Sequence, residues 1–492
     1  MSKTRNQSIS VYLIMIAGIA LGYVNVGILM PKVFLVEQVG LINCIMGIAA
    51  LFAILAKFSL DNMPIKFYPF FKTDDKKHNG FLTLIIIILV LAVTLTTVVS
   101  IVFKTPITNF FISNSPLIVK HYYLAIPLMI SMAALGAIYS FARAISKSVV
   151  PTFCIQILNR LCIFVLIILF VYQLINFSSF LLIYVLVPLV GLTGIITYLI
   201  YLKQFNFSPK VNFEAAGIKL KKILDFNAFK LLGNTSTVLV QHIDKLMIAS
   251  IMGLSNAGVY SIAYIFASVV SLPVKAQGVV VAPQLSMGLK NNDLPKVAYL
   301  YKKVANINLI VGSIMYILLL VNFKDLFSFL PAEYLDGFWV IAIIGFGALL
   351  NLATGMNANI LVFSKYYKYD LYTYVLLIIT TITTNLILIP ILGIEGAALA
   401  SLISVFSHNT IRTYLVWRFF RILPFQKSNL LVICIALCIA IGAYFLPSIN
   451  NAILNILVKS TIILFSYGSL ILLSKASPEM NQFFNKLMKK VL

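Results

Sequence analysis

The chain has 492 residues, 61% hydrophobic and 10% charged, with a mean hydropathy of +1.01 and a net charge of +23. Soluble domains are about half apolar and a quarter charged, so this composition excludes a water-soluble globular protein. The basic excess does not indicate nucleic acid, because the Lys and Arg residues fall between long apolar stretches, as the positive-inside rule expects of a membrane protein.

A spanning helix needs about 20 mostly apolar residues. Fourteen runs qualify, near 9–31, 38–59, 81–103, 121–142, 150–172, 179–202, 230–252, 257–280, 303–322, 337–361, 371–392, 396–417, 428–446 and 453–473. They are continuous and lack period-2 alternation, which predicts helices and not barrel strands. The first run follows the basic segment MSKTRNQSIS and leads almost directly into the second, so it is expected to be retained as a helix. All five cysteines (Cys44, Cys154, Cys162, Cys434, Cys438) lie inside apolar runs without metal-ligand spacing and read as small hydrophobes.

Loop charge predicts the orientation. Of 37 Lys and Arg, four (Lys32, Lys104, Lys120, Lys324) fall in outward loops and five (Arg160, Lys245, Lys275, Arg412, Lys459) within the runs; the remaining 28 are cytoplasmic if both termini are inside.

The first half is read as an N lobe at 1–208, followed by a cytoplasmic amphipathic linker at 209–229. A C lobe at 230–420 follows, and 421–492 carries two further helices and a basic amphipathic tail with its cap at Ser477–Pro478. The two lobes look like parallel repeats. Aligning Gly40 with Gly258 sets Lys57 opposite Lys275 without a gap, and Ile145–Lys147 matches Phe363–Lys365 at the same offset of 218 residues.

A charge at the bilayer centre costs about 2.5–3.5 kcal/mol on insertion scales, so polar residues inside spans should face a protein-lined or watery interior. The fifth run carries Thr152, Gln156, Asn159 and Arg160; the seventh carries Asn234, Thr237, Gln241, Asp244 and Lys245. The eighth carries Ser261, Tyr264, Ser268, Ser271 and Lys275, and the eleventh Thr373, Thr380, Thr381, Thr384 and Asn385. These stripes are expected to line a shared central cavity whose Arg160, Lys245, Lys275 and Arg412 suit an anion such as phosphate, with Gln156, Asn159 and Gln241 beside them. Snorkelling to headgroups is the competing reading for Lys275 and Arg412, and Lys57 beside Asp61 reads as interfacial. Asp244 either takes up H⁺ or Na⁺ to couple transport or neutralises a neighbouring cation. His242 beside it reads as hydrogen-bonded, and Pro127, Pro188 and Pro273 are candidate bending points. No HExxH, GxSxG or P-loop is present, the loops are short, and no cofactor or metal is expected; the reading is not an enzyme.

Three segments carry a family resemblance. NLILIPILGIEGAALAS (Asn385 to Ser401), DKLMIASIMGLSNAGVYSIAY (Asp244 to Tyr264) and GILMPKVFLVEQVGL (Gly27 to Leu41) resemble Wzx-type polysaccharide flippases, within the superfamily that includes MATE exporters and the lipid II flippase MurJ. The resemblance covers the first twelve runs. It implies an all-α integral membrane fold of two six-helix lobes in a V shape with two added C-terminal helices. It further implies a bacterial inner membrane as the location, alternating access, and an undecaprenyl-diphosphate-linked oligosaccharide as substrate, with membrane lipids and glycan polymerase machinery as partners. The alternative is a MATE-like cation-coupled drug exporter, which would call for more intramembrane acids than bases.

Overall fold

The computed structural model describes residues 2–482, except for the side chains of 2–6, 8 and 273–280, and among the described residues every regular element is a helix. Twelve helices among the described residues are long and apolar enough to cross a membrane. The sequence leads to fourteen runs, and two observations account for the difference. The eleventh and twelfth runs form one stretch, Tyr367–Phe420, interrupted at Gly393; the seventh lies in Leu220–Met252, whose charged residues keep it out of the twelve. The chain divides into two compact units, Met1–Gly258 and Val259–Leu492.

In the first unit, α1 (Ser2–Tyr23) continues through a π turn at Val24–Leu29 and on to Val33. It is followed by α2 (Val36–Lys57), α3 (Phe81–Val102), α4 (Ala125–Ala144), α5 (Val149–Val171), α6 (Phe177–Tyr201) and α7 (Leu220–Met252). The centre is α2, which packs on α3, α4 and α7 and buries Val39, Leu41, Ile45, Ala49 and Ala53. By contrast, Val90, Leu91, Leu95 and Val98 of α3 are exposed, which is stable only against lipid. Lipid tails are as apolar as leucine, so helix association here depends on close contact through small residues. Accordingly, Gly136 of α4 leaves room for the Lys57–Asp61 ion pair (3.6 Å), and Ser140 Oγ donates to the Asp61 carbonyl at 2.8 Å.

The amphipathic segment expected between the lobes is not separate. A short helix, Phe213–Ala216, stops at Gly217 (φ 62°), and α7 then runs unbroken for 33 residues, about 50 Å at 1.5 Å per residue. Its first turns lie beside the short helix Met63–Phe71, where Lys66 stands 3.8 Å from the Phe226 ring centre. Burial, then Lys222 and Lys230, push the Lys66 ammonium below the usual lysine range.

The chain then continues as α8 (Leu254–Ser268), a 3₁₀ turn at Val269–Ser271 and α9 (Leu272–Lys290). The 3₁₀ turn falls just before Pro273, and another, Tyr122–Leu124, falls just before Pro127, as bending points should. The remaining helices are α10 (Leu294–Val321), α11 (Phe338–Ala353), α12 (Tyr367–Phe420), α13 (Lys427–Tyr444) and α14 (Ala452–Leu473). In the second unit, α10 packs on α11 and α13, and α11 on α12. Gly393 breaks α12 with φ 65° and ψ −138°, a conformation that side-chain-bearing residues avoid. Three residues on, Gly396 lies against the backbone of Leu388 with no room for a Cβ. The Asn385–Ser401 motif is thus the sequence of a tight reversal. The cap expected at Ser477 is present, its Oγ accepting from Met480 N at 3.3 Å; the basic tail from Phe483 lies outside the described residues.

Candidate functional site

Arg160 lies in α5, two residues beyond a π turn at Cys154–Leu158. The second π turn of the first unit, Val24–Leu29, is in α1, and the two helices meet there. Asn25 of α1 donates its Nδ2 to the Arg160 carbonyl at 2.7 Å. A π turn frees backbone carbonyls from the regular ladder, and such turns cluster at functional sites. Two glycines bring α1 this close: a Cβ on Gly18 would lie 2.7 Å from Gln156 Cβ, and one on Gly22 would lie 3.0 Å from the Arg160 guanidinium carbon. Gly18 and Gly22 form a GxxxG pair, a spacing legible in the sequence but not weighed there.

The fifth-run stripe is therefore divided among neighbours. Thr152 Oγ1 is 3.2 Å from Tyr139 Oη of α4, Gln156 and Arg160 face α1, and the Asn159 amide fits against Gly191 of α6. Four polar atoms remain buried without a hydrogen-bond partner among the described residues: Asn25 Oδ1, Gln156 Oε1, Asn159 Oδ1 and Arg160 Nη1. An unsatisfied buried polar group costs about 1–3 kcal/mol, more when charged, so this concentration calls for water or a bound ligand.

On α7, Asp244 and Lys245 are 2% and 7% exposed, whereas Gln241 is exposed. The helix is seated on α2: Cys44 Sγ lies 3.9 Å from the Lys245 carbonyl, and a Cβ on Gly47 would be 3.4 Å from His242 Nδ1. That ring nitrogen is buried without a hydrogen bond among the described residues, unlike the expectation for His242.

Arg412 is held differently. In the second unit its Nε donates to Asp370 Oδ1 at 2.8 Å and its Nη2 lies 2.6 Å from the same oxygen, both residues being buried. Its guanidinium sits 4.6 Å from the Tyr374 ring centre, and Thr373 Oγ1 is 3.2 Å from His408 Nε2. Asn357, Asn409, Thr354 and Thr413 form a separate network, with Asn409 Oδ1 accepting from Thr354 Oγ1 at 3.1 Å and Asn357 Nδ2 at 3.3 Å. Asp370 falls one residue before the eleventh run, which is why Asp244 alone stood out as an intramembrane acid. The threonines of that run are turned inward on their own helix: Thr380, Thr381 and Thr384 donate to the carbonyls of Leu376, Leu377 and Thr380. Lys275 lies outside the described side chains. No group of three metal-ligating side chains occurs among the described residues, and all five cysteines are free thiols.

Comparison with known proteins gives no match to a protein-family model and none to a curated protein. Solved structures do match. The inward closed conformation of the lipid II flippase MurJ superposes with a TM-score of 0.69 at 16% identity, covering 98% of this chain and 99% of that one. An inward-facing multidrug resistance MATE family transporter of the MOP superfamily gives 0.66 at 13% identity, over 82% of this chain and 94% of its own. A MOP superfamily transporter from Pyrococcus furiosus, described as having a binding pocket of reverse polarity, gives 0.55 at 12% identity, over 85% and 96%. At these identities the likeness establishes architecture: the chain is an all-helical membrane protein with the fold that the MurJ and MATE structures share.

Proposed function

We propose that this protein is a flippase for an undecaprenyl-diphosphate-linked oligosaccharide in a bacterial inner membrane, with both termini cytoplasmic. The observation that carries the reading is the Arg160 guanidinium. It sits inside a span, braced on Gly22 and tied through its backbone to Asn25, with Nη1 buried and unpartnered among the described residues. Arginine presents a planar fork of donors suited to phosphate oxygens, and in a low-dielectric setting such charge-assisted bonds are strong. Gln156, Asn159 and Lys245 are assigned to the same anionic headgroup, and Gln241 and Lys275 remain candidates for the substrate path. Arg412 is assigned a positioning role through Asp370, because its charge is already met. Asp244 is assigned to H⁺ or Na⁺ coupling.

The fold supports transport, since the matching structures include a lipid II flippase and MATE transporters. The same fold leaves a cation-coupled exporter as the rival. A reconstituted-vesicle assay separates the two: translocation of a fluorescent polyprenyl-diphosphate sugar, lost in Arg160→Gln, supports the flippase. Undiminished translocation in that variant, or export of organic cations with no lipid movement, would overturn it.

A further inference from the structure

A cavity of about 1160 Å³, open on one side, lies in the second unit among α10, α11 and α13, with Lys459 of α14 at its wall. Its wall is almost wholly apolar, with Leu309, Ile317, Phe346, Ala436 and Leu437 contributing, and two ammonium groups line it, Lys324 and Lys459. Lys324 belongs to the short helix Phe323–Phe327 that follows α10.

Lys459 is placed there by helical register. The inward stripe of α14 runs Asn455, Ile463, Tyr467 and Ile471, all buried, at intervals of four or eight residues. Lys459 falls midway between Asn455 and Ile463 and completes that stripe. It is seven residues into the helix, about 10 Å from its start, where an ammonium facing lipid would be costly.

The polar groups at this end pair with one another and not with the lysines. Asn455 Nδ2 donates to Asp325 Oδ2 at 2.7 Å, and Asn322 Nδ2 donates to Ser460 Oγ at 3.2 Å. Neither Lys324 nor Lys459 meets a carboxylate among the described residues. An exposed Lys324 and a half-buried Lys459 beside an apolar wall suit an amphiphile with an anionic head.

We propose that this cavity binds an anionic glycerophospholipid, its acyl chains among the α10, α11 and α13 side chains and its phosphodiester on Lys324 and Lys459. Both lysines line the same chamber, and a diacyl tail suits one that is broad, apolar and open on one side. The site is independent of the transport reading, because its residues are not those assigned to the substrate.

The test uses the full-length protein in detergent and native mass spectrometry with phosphatidylglycerol or phosphatidylcholine of matched chains. Wild type should retain phosphatidylglycerol preferentially, and Lys324→Gln/Lys459→Gln should weaken that binding by about tenfold or more, the scale of one charge-assisted hydrogen bond. Lys324→Arg/Lys459→Arg should keep the preference, and Ala440→Trp, which fills the chamber, should remove the lipid with both lysines intact. Equal retention of the two phospholipids would overturn the proposal, as would a preference that survives the Gln or Trp variants. Undecaprenyl phosphate bound in place of phosphatidylglycerol would overturn it too, by making the chamber a substrate site.

Discussion

Gly40 and Gly258 occupy reciprocal positions within the first unit. A Cβ on Gly40 would run into the Leu254 carbonyl, four residues before Gly258; a Cβ on Gly258 would run into the Val36 carbonyl, four residues before Gly40. These are also the residues whose alignment suggests the repeat in the sequence. Backbone cannot yield as a flexible side chain can. Gly40→Ala and Gly258→Ala are each expected to destabilise by about 1–3 kcal/mol, the scale of overpacking. Thermal scans of the detergent-solubilised protein would check this.

The Asp370–Arg412 pair is buried on both sides, and removing one partner leaves a stranded charge. Asp370→Asn or Arg412→Gln should each cost about 3–5 kcal/mol, with the double variant more stable than additivity allows. Denaturation of the four members of the cycle measures the coupling. Additive losses would show that the two side chains act separately.

Gly22→Leu tests the Arg160 site without touching its charge. The new side chain would occupy the place of the guanidinium, 3.0 Å from where a Cβ would stand. Translocation should fall to the level of Arg160→Gln, while expression and membrane insertion stay near wild type, as judged by fluorescence-detected size exclusion. Gly233→Leu, where nothing lies within 4 Å of a Cβ, is the matching control and should leave translocation unchanged.

Lys66 gives a pH signature. Burial first, and then Lys222 and Lys230, lower its native pKa below the ordinary lysine value, so in that interval the unfolded chain binds more protons than the native one. The contribution to stability is therefore present above the ordinary lysine pKa and is lost as pH falls through the lowered native value. Melting temperatures of wild type relative to Lys66→Gln should rise as pH increases toward 10.5, and replacing Lys222 with Gln should shrink the slope.

Much of the architecture was legible because spanning segments announce themselves by length and apolarity. The exceptions have physical causes. Leu220–Met252 mixes a lysine-rich start with an apolar end, so hydropathy read as two elements what the backbone hydrogen bonds make one. The site was legible in part. Stripe logic singled out Gln156, Asn159 and Arg160, but a helical wheel cannot show that three neighbours divide the stripe among themselves. The threonines near Thr380 illustrate the opposite failure, since a hydroxyl can satisfy itself on its own helix and still mimic a polar lining. Asp370 was missed because the apolar run begins one residue after it, and its partner is 42 residues away in sequence.

The junction at Gly393 joins two long helical arms without an intervening loop. A flexible tether would absorb displacement of one arm as slack; a single-residue pivot transmits it. Lengthening the connection by a few glycines would therefore cut the mechanical linkage between the arms while leaving every side-chain contact within each of them available.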